Sequence, residues 1–356
     1  MKKTLLRSLL IGAASIAPIA AIAGGVEVET CCKPPRVDIP DMREGWSFSI
    51  EGSALRGYNN NLTYSEFTSF FSETIGSTVF ETEEAFVNDI APNYAFGLRV
   101  SANYTLANSA NVLKLFYEHL FRRSASDETA AIIPVSSSEN VAVASEGSAR
   151  EKLDGVTLLS EQHILIGPYW ETTFSGGVRF AHVGQDLTAS SAAALLSNLA
   201  PSDVIAERIN SSMQFNGVGP MVGFGSMFHV WENIAIGGEA QAALLMGRNK
   251  IGFTEFLANS STPIFAADPA AIVVNEDIDS IYSIVPEMYY RLYANYFYRF
   301  NNGSTMQVEA GWRANQFFNL RTFARGVVSA EGIAVNVTNS DDIGFSGPYL
   351  MLQYNL

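Results

Sequence analysis

The sequence predicts an all-β chain: a transmembrane antiparallel up-and-down β-barrel of about ten strands, with eight to twelve open, and long extracellular loops. Three observations carry that expectation. Apolar and polar residues alternate with period two over many segments. After the N-terminus no run approaches the ~18 consecutive apolar residues of a membrane-crossing helix, although 47% of the chain is hydrophobic and 12% aromatic. Finally, the connections between alternating segments are long and short in turn.

Taken in chain order, Lys2, Lys3 and Arg7 precede an apolar run from Leu9 to Ile22, and Ala21-Ile22-Ala23 fits the small-x-small cleavage pattern. Residues 1–23 are therefore expected to be an export signal cleaved after Ala23. Removing them takes three of the 22 Lys+Arg and none of the 36 Asp+Glu, so the formal charge moves from -14 to 19 - 36, or -17. Such an acidic balance argues against nucleic acid and anionic lipid as partners. Residues 24–44 carry Pro34, Pro35 and Pro40 without periodicity and read as a periplasmic lead-in. They hold the chain's two cysteines, Cys31 and Cys32. Adjacent cysteines make a strained intramolecular pair, and two thiols alone do not build a structural zinc site. Links between molecules and thiols without a structural role both stay open.

The barrel is expected over 45–356. Trp46, Phe48, Ile50 and Ala54 alternate with Ser47, Ser49, Glu51 and Ser53, and Tyr94, Phe96, Leu98 and Val100 alternate with Ala95, Gly97, Arg99 and Ser101. The pattern recurs at Phe174, Val178 and Phe180, at Ile234, Ile236, Ala240 and Leu244, at Met288, Tyr290 and Leu292, and at Met306, Val308, Ala310 and Trp312. Weaker strands fill 111–122, 156–165 and 213–229. The final segment puts Leu350, Leu352, Tyr354 and Leu356 on one face, against Tyr349, Met351 and Gln353 on the other. A soluble sheet would need a second layer over that apolar face, whereas a barrel in lipid needs only the bilayer. Closure requires this strand to pair with the one from Trp46 to Tyr58, because neither edge can stay free.

Long loops are expected at 59–91, 123–155, 184–212, 249–281 and 319–342, and short turns near 105–110, 166–169, 230–233 and 298–303. Outer-membrane barrels put the long connections outside and the short ones in the periplasm. Within its loop, Ser191 to Ile209 could form helix. Loop 59–91 holds Glu66, Glu73, Glu81, Glu83, Glu84 and Asp89 with no Lys or Arg. A solvated acidic outer face is the reading, with Ca²⁺ binding there or at Glu276, Asp277 and Asp279 as the weaker one. Trp46, Tyr58, Tyr94, Tyr104, Trp170, Trp231, Tyr296, Tyr298, Trp312 and Tyr354 fall near strand ends, as an interfacial aromatic girdle would.

The inward parity collects Glu51, Glu118, Glu161, Glu239, Glu287 and Glu309 against Arg99, Lys114, Arg122, Arg179, Arg291 and Arg313. These residues are the expected lumen lining. They read either as a pore wall whose rings set ion preference or as a ladder of salt bridges filling a small barrel. Eight strands are roughly filled by side chains and open channels have ~16 to 18, so ten strands leave at most a narrow conduit. The four histidines, His119, His163, His182 and His229, fall in separate elements, and no nucleophile elbow, metal-spaced histidine pair or phosphate loop occurs. No catalytic, cofactor or metal residues are assigned, and an enzyme is disfavoured. A narrow passive pore for ions or small solutes is expected, with a closed-barrel adhesin or structural protein as the alternative.

Several stretches carry more than composition. Phe215-Asn216-Gly217-Val218-Gly219-Pro220, the run from Gly238 to Gly247, Val285-Pro286-Glu287 and Gly347-Pro348-Tyr349 together resemble the Legionella major outer membrane protein family of pore-forming barrels. Gly176 to Ala181 and Glu309-Ala310-Gly311-Trp312 fit the same pattern. The resemblance implies an outer-membrane porin-like protein of a Gram-negative bacterium, linked into homo-oligomers through cysteines, here Cys31 and Cys32, and exposed to host cells through its loops.

Overall fold

The computed structural model describes residues 44–356 except 60–62, 76–77, 90–93, 108, 126–128, 135–138, 168, 198–199, 261–271 and 330–331. Backbone alone is described for 58–59, 63–75, 78–89, 125, 129–134, 139–145, 191–207, 255–260, 272–281 and 321–341. The expected signal, the lead-in and both cysteines lie outside the described residues.

Thirteen strands occur among the described residues. Ten of them close a ring: β1 (Gly45–Asn59), β4 (Tyr94–Thr105), β5 (Asn111–Ala125), β7 (Glu139–Ile166), β8 (Trp170–Ser197), β9 (Ala200–Trp231), β10 (Ile234–Ser260), β11 (Ile272–Arg299), β12 (Thr305–Ser329) and β13 (Gly332–Asn355). Every neighbouring pair is antiparallel, and closure runs through β1 to β13, with Ile50 opposite Leu352. The remaining strands are accessories. β2 (Thr63–Ile75) and β3 (Thr78–Asp89) form a separate hairpin, and β6 (Thr129–Pro134) pairs on the upper part of β7.

The outer face is apolar because lipid, not protein, covers it. Phe48, Ile50, Phe96, Phe174, Phe224, Leu244, Leu292 and Leu350 are all exposed in the isolated chain. Trp46 packs 5.1 Å from Tyr104, Trp170 6.1 Å from Phe228, and Phe300 between Tyr298 and Tyr354, so rings gather at the short-turn end. That end carries turns at 106–110, 167–169, 232–233 and 300–304, and in outer-membrane barrels it faces the periplasm.

Two expectations fail. The segments expected to be long loops are mostly continuations of the strands: β9 alone runs 32 residues, about 105 Å at ~3.3 Å per residue. Beyond the apolar band a strand has water on its outer side, so its side chains lose the alternation that betrays strands in sequence, while its backbone groups still find partners by extending the ladder. The helix considered for Ser191 to Ile209 is strand for the same reason. β8 and β9 pair without interruption from Ala189 opposite Ile209 to Leu195 opposite Asp203, and continue after one irregularity to Ser197 opposite Ala200. Pairing overrides the helical preference of three alanines and two leucines. The acidic side chains of 63–89 and of Glu276, Asp277 and Asp279, considered for Ca²⁺, lie outside those described.

The Gly-Pro pairs within strands have a common explanation. Pro220 and Pro348 lack an amide donor, and the ladder skips at both: β9 is paired with β10 at Met221 and Val218 but not between, and β1 with β13 at Tyr349 and Ser346 but not between. There the partner strand's carbonyl moves in against the preceding glycine. A Cβ on Gly219 would collide with the Leu244 carbonyl oxygen, and one on Gly347 with that of Ala54.

Candidate functional site

The inward face divides into three levels along the axis. In the middle, six charged side chains from six strands form one connected knot. Arg179 on β8 donates from Nε to Glu287 Oε2 (2.5 Å), from Nη1 to Thr157 (2.9 Å) and from Nη2 to Glu118. Arg99 on β4 donates to Glu118 Oε2 (3.0 Å) and to the Tyr289 hydroxyl (2.8 Å), and its guanidinium lies 4.6 Å from the Phe116 ring centre and 4.7 Å from that of Tyr289. Arg313 on β12 donates to Glu51 Oε1 at 2.7 Å and stands 3.9 Å from Glu118. The knot holds Glu51, Glu118 and Glu287 against Arg99, Arg179 and Arg313, so it is formally neutral. Its members are almost wholly excluded from solvent, Glu51 at 1% and Arg179 at 2% exposed. Charges so buried persist only when paired and hydrogen-bonded.

Nearer the short-turn end the lumen opens into a vestibule with a cavity of about 230 Å³, whose wall includes Lys114, Glu161, Glu171, Glu239, Arg291 and Glu309. Arg291 bridges Glu239 (2.5 Å) and Glu309 (3.2 Å), Tyr349 donates to Glu309 (2.6 Å), and Lys114 reaches Glu161 at 3.3 Å. Besides Glu51 and Arg99 of the knot, which also reach this cavity, four carboxylates face two cations here, so the vestibule is acidic where the knot is neutral. On one side His163 Nδ1 lies 2.6 Å from Glu171 and 3.2 Å from the Thr173 hydroxyl, and His229 Nε2 is 3.6 Å from the same Glu171. Glu171 and Thr173 share one nitrogen of His163, so carboxylate and hydroxyl do not occupy opposite ring nitrogens as a proton relay requires.

Toward the long-strand end the interior becomes apolar. Leu55, Leu120, Phe215, Leu245, Phe253, Val285, Phe317 and Phe345 belong to one cluster and are buried inside the barrel. The inward parity, expected from the sequence to be a polar lining, is mainly apolar beyond the knot, with Arg122, Glu151, Gln185 and Asn249 among the buried polar exceptions. Arg122 sits among these apolar residues, paired with Glu151, to which Gln185 also donates at 3.4 Å.

All twelve residues singled out from the sequence point into the barrel. Six form the knot (Glu51, Arg99, Glu118, Arg179, Glu287 and Arg313), five line the vestibule (Lys114, Glu161, Glu239, Arg291 and Glu309), and Arg122 stands apart. Missing from that set are Glu171, Glu151 and Tyr289. Glu171 shares the parity of Thr173 and Arg179 and was available from spacing. Tyr289 lies between Glu287 and Arg291 on their parity, but its ring reads as lipid-facing. Glu151 lies within 123–155, where the sequence predicts a loop and the structure has strand β7.

A family model described as Legionella pneumophila major outer membrane protein precursor matches residues 38–356. No curated protein matches. Among solved structures the chain is similar to the outer membrane protease OmpT from Escherichia coli, at 13% identity and a TM-score of 0.40, covering 89% of this chain and 97% of that one. A deletion mutant of the monoaromatic hydrocarbon channel TodX follows at 9% identity and 0.24, covering 88% and 90%. A Pseudomonas aeruginosa FadL homologue has 7% identity and 0.23, covering 87% and 90%.

Proposed function

The chain belongs to the Legionella major outer membrane protein family, an outer-membrane β-barrel, and from that premise we propose that it forms a narrow passive pore for ions and small solutes. The observation that supports this reading is the charged vestibule of about 230 Å³ at the short-turn end, which leads inward to the paired charges of the knot and, beyond them, to the apolar cluster. Conduction then requires the knot and the apolar cluster beyond it to part, so the pore spends most of its time shut and passes small currents. Four vestibule carboxylates against two cations attract cations, because a low-dielectric wall of one sign raises the local concentration of the opposite one.

In planar bilayers the folded protein is expected to give small conductance steps and a cation-selective reversal potential in a salt gradient, shifted toward zero by Glu161→Gln. Phe215→Ala combined with Phe253→Ala removes two of the largest side chains in the outer cluster and is expected to enlarge the steps several-fold. A second reading, a closed barrel that displays acidic outer segments to the host or environment, is favoured by that same cluster. Silence from both the native protein and the double variant would select it.

We also propose that Cys31 and Cys32 link copies of the chain. Non-reducing gels are expected to show oligomers that vanish with reductant and in the Cys31→Ser, Cys32→Ser variant. Oligomers that persist in that variant would refute the link.

A further inference from the structure

On the outside of the barrel the apolar band ends at one row across most strands, with Phe121 on β5 standing above it. The pairing register sets Tyr117, Val156, Phe180, Val218, Met246 and Ile284 side by side across β5, β7, β8, β9, β10 and β11. One step away from the short-turn end the same strands present His119, Asp154, His182, Asn216, Arg248 and Tyr282. This second row is tied along its length. Asp154 receives Tyr117 (2.8 Å), lies 2.7 Å from His119 Nδ1, and pairs with Lys152 at 2.7 Å; His182 meets Asn216 at 2.8 Å, and Arg248 donates to the Tyr282 hydroxyl. With short turns in the periplasm, the boundary falls where the outer leaflet gives way to its headgroups.

Above that boundary on β5 and β7 stands an arrangement that protein alone does not explain. Arg123 lies directly opposite Arg150, and Lys152 lies opposite Phe121, all pointing outward. Like charges facing each other across a ladder repel and destabilise it. The inward neighbour Arg122 has Glu151, but among the described residues no carboxylate lies in ion-pair reach of Arg123 or Arg150. Asp186, opposite Arg150 on β8, is outside that reach too. Lys152 is held by Asp154 at 2.7 Å, so among the described residues the cations without a carboxylate partner here are Arg123 and Arg150.

We propose that Arg123 and Arg150 form a binding site for the phosphate of an outer-leaflet glycolipid, whose acyl chains lie on the Val156 and Phe180 surface three outward rows nearer the short-turn end. Two guanidinium groups facing each other present paired donors to one phosphate, the geometry in which arginine exceeds lysine. The mature chain's expected charge of -17 argues against general adsorption to anionic surfaces, but that sum does not act at one point. Screening confines each charge to about 8 Å at physiological salt, so the sum over the chain does not set the field at Arg123 and Arg150. The apolar row supplies the second half of the recognition, which a free phosphate could not use.

The full-length folded protein in detergent tests this by native mass spectrometry with three probes: a bisphosphorylated lipid A, the same lipid dephosphorylated, and inorganic phosphate. The phosphorylated lipid is expected to bind at least about tenfold more tightly than the dephosphorylated one, since charge-assisted bonds are the stronger kind, and to resist competition by inorganic phosphate. Arg123→Gln with Arg150→Gln is expected to erase that preference, and Arg123→Gln alone to reduce it. Both variants should keep the heat-modifiable band of a folded barrel, because the two side chains are exposed. Equal binding of the two lipids, or an unchanged preference in the folded double variant, would overturn the proposal. Displacement by inorganic phosphate would make the site one for free anions and overturn the lipid assignment.

Discussion

Arg179→Met is expected to lower the stability of the folded barrel by about 3 to 5 kcal/mol, the usual cost of removing one partner from a buried ion pair. Arg179 serves Glu118, Glu287 and Thr157 at once, so its loss leaves Glu287 buried without its ion-pair partner and Glu118 with Arg99 and the more distant Arg313. The physical reason is desolvation: each carboxylate left water on folding and was compensated by this guanidinium. It follows that Arg179→Met together with Glu287→Gln, which leaves Glu51 and Glu118 against Arg99 and Arg313, should recover part of the loss, since removing both partners of a buried pair costs less than removing one. Urea titration of the refolded protein in lipid vesicles, with the heat-modifiable band as the readout, measures both. A double variant less stable than Arg179→Met would mean that the knot stabilises through something other than compensation of buried charge.

Leu352→Arg is expected to impair insertion by about 2 to 4 kcal/mol, the cost of a cation on the lipid face of a barrel near the midplane. Leu352 is flanked by Ile50 and Val308 and is 46% exposed in the isolated chain. Its neighbour Gln353 faces inward, lines the vestibule and donates to Asn355 at 2.8 Å, so Gln353→Arg should be mild. The folded fraction after dilution into vesicles compares the two, and equal damage from both would mean that β13 is out of register by one residue.

What could be read from residues alone follows from which solvent each face meets. Where lipid lies outside and charge inside, as from Trp46 to Ser53 or from Met288 to Asn295, alternation is steep and the strands, their parity and their number are legible. Leu113-Lys114-Leu115-Phe116-Tyr117 shows the limit. Leu115 faces lipid and Phe116 the interior, both apolar, so no pattern separates the faces, and the apolar cluster within the lumen is invisible for this reason. The knot was legible as a set of inward residues but not as partners. Arg313 and Glu51 are 262 positions apart and Arg179 and Glu287 108 apart, and only the closed ring brings them together.

The seam between β1 and β13 also decides the order of events during folding. Its contacts join residues about 300 apart, and closing a loop of that length costs on the order of 5 kcal/mol in chain entropy before any bond across it forms. Pairing of sequence neighbours such as β8 with β9 carries a far smaller cost, so hairpins form early and the cylinder shuts last. Until then β1 and β13 are open edges that could accept strands from other chains. The slow, hazardous step in assembly is therefore the meeting of Ile50 with Leu352, and a cell that makes much of this protein must shield those two edges until they find each other.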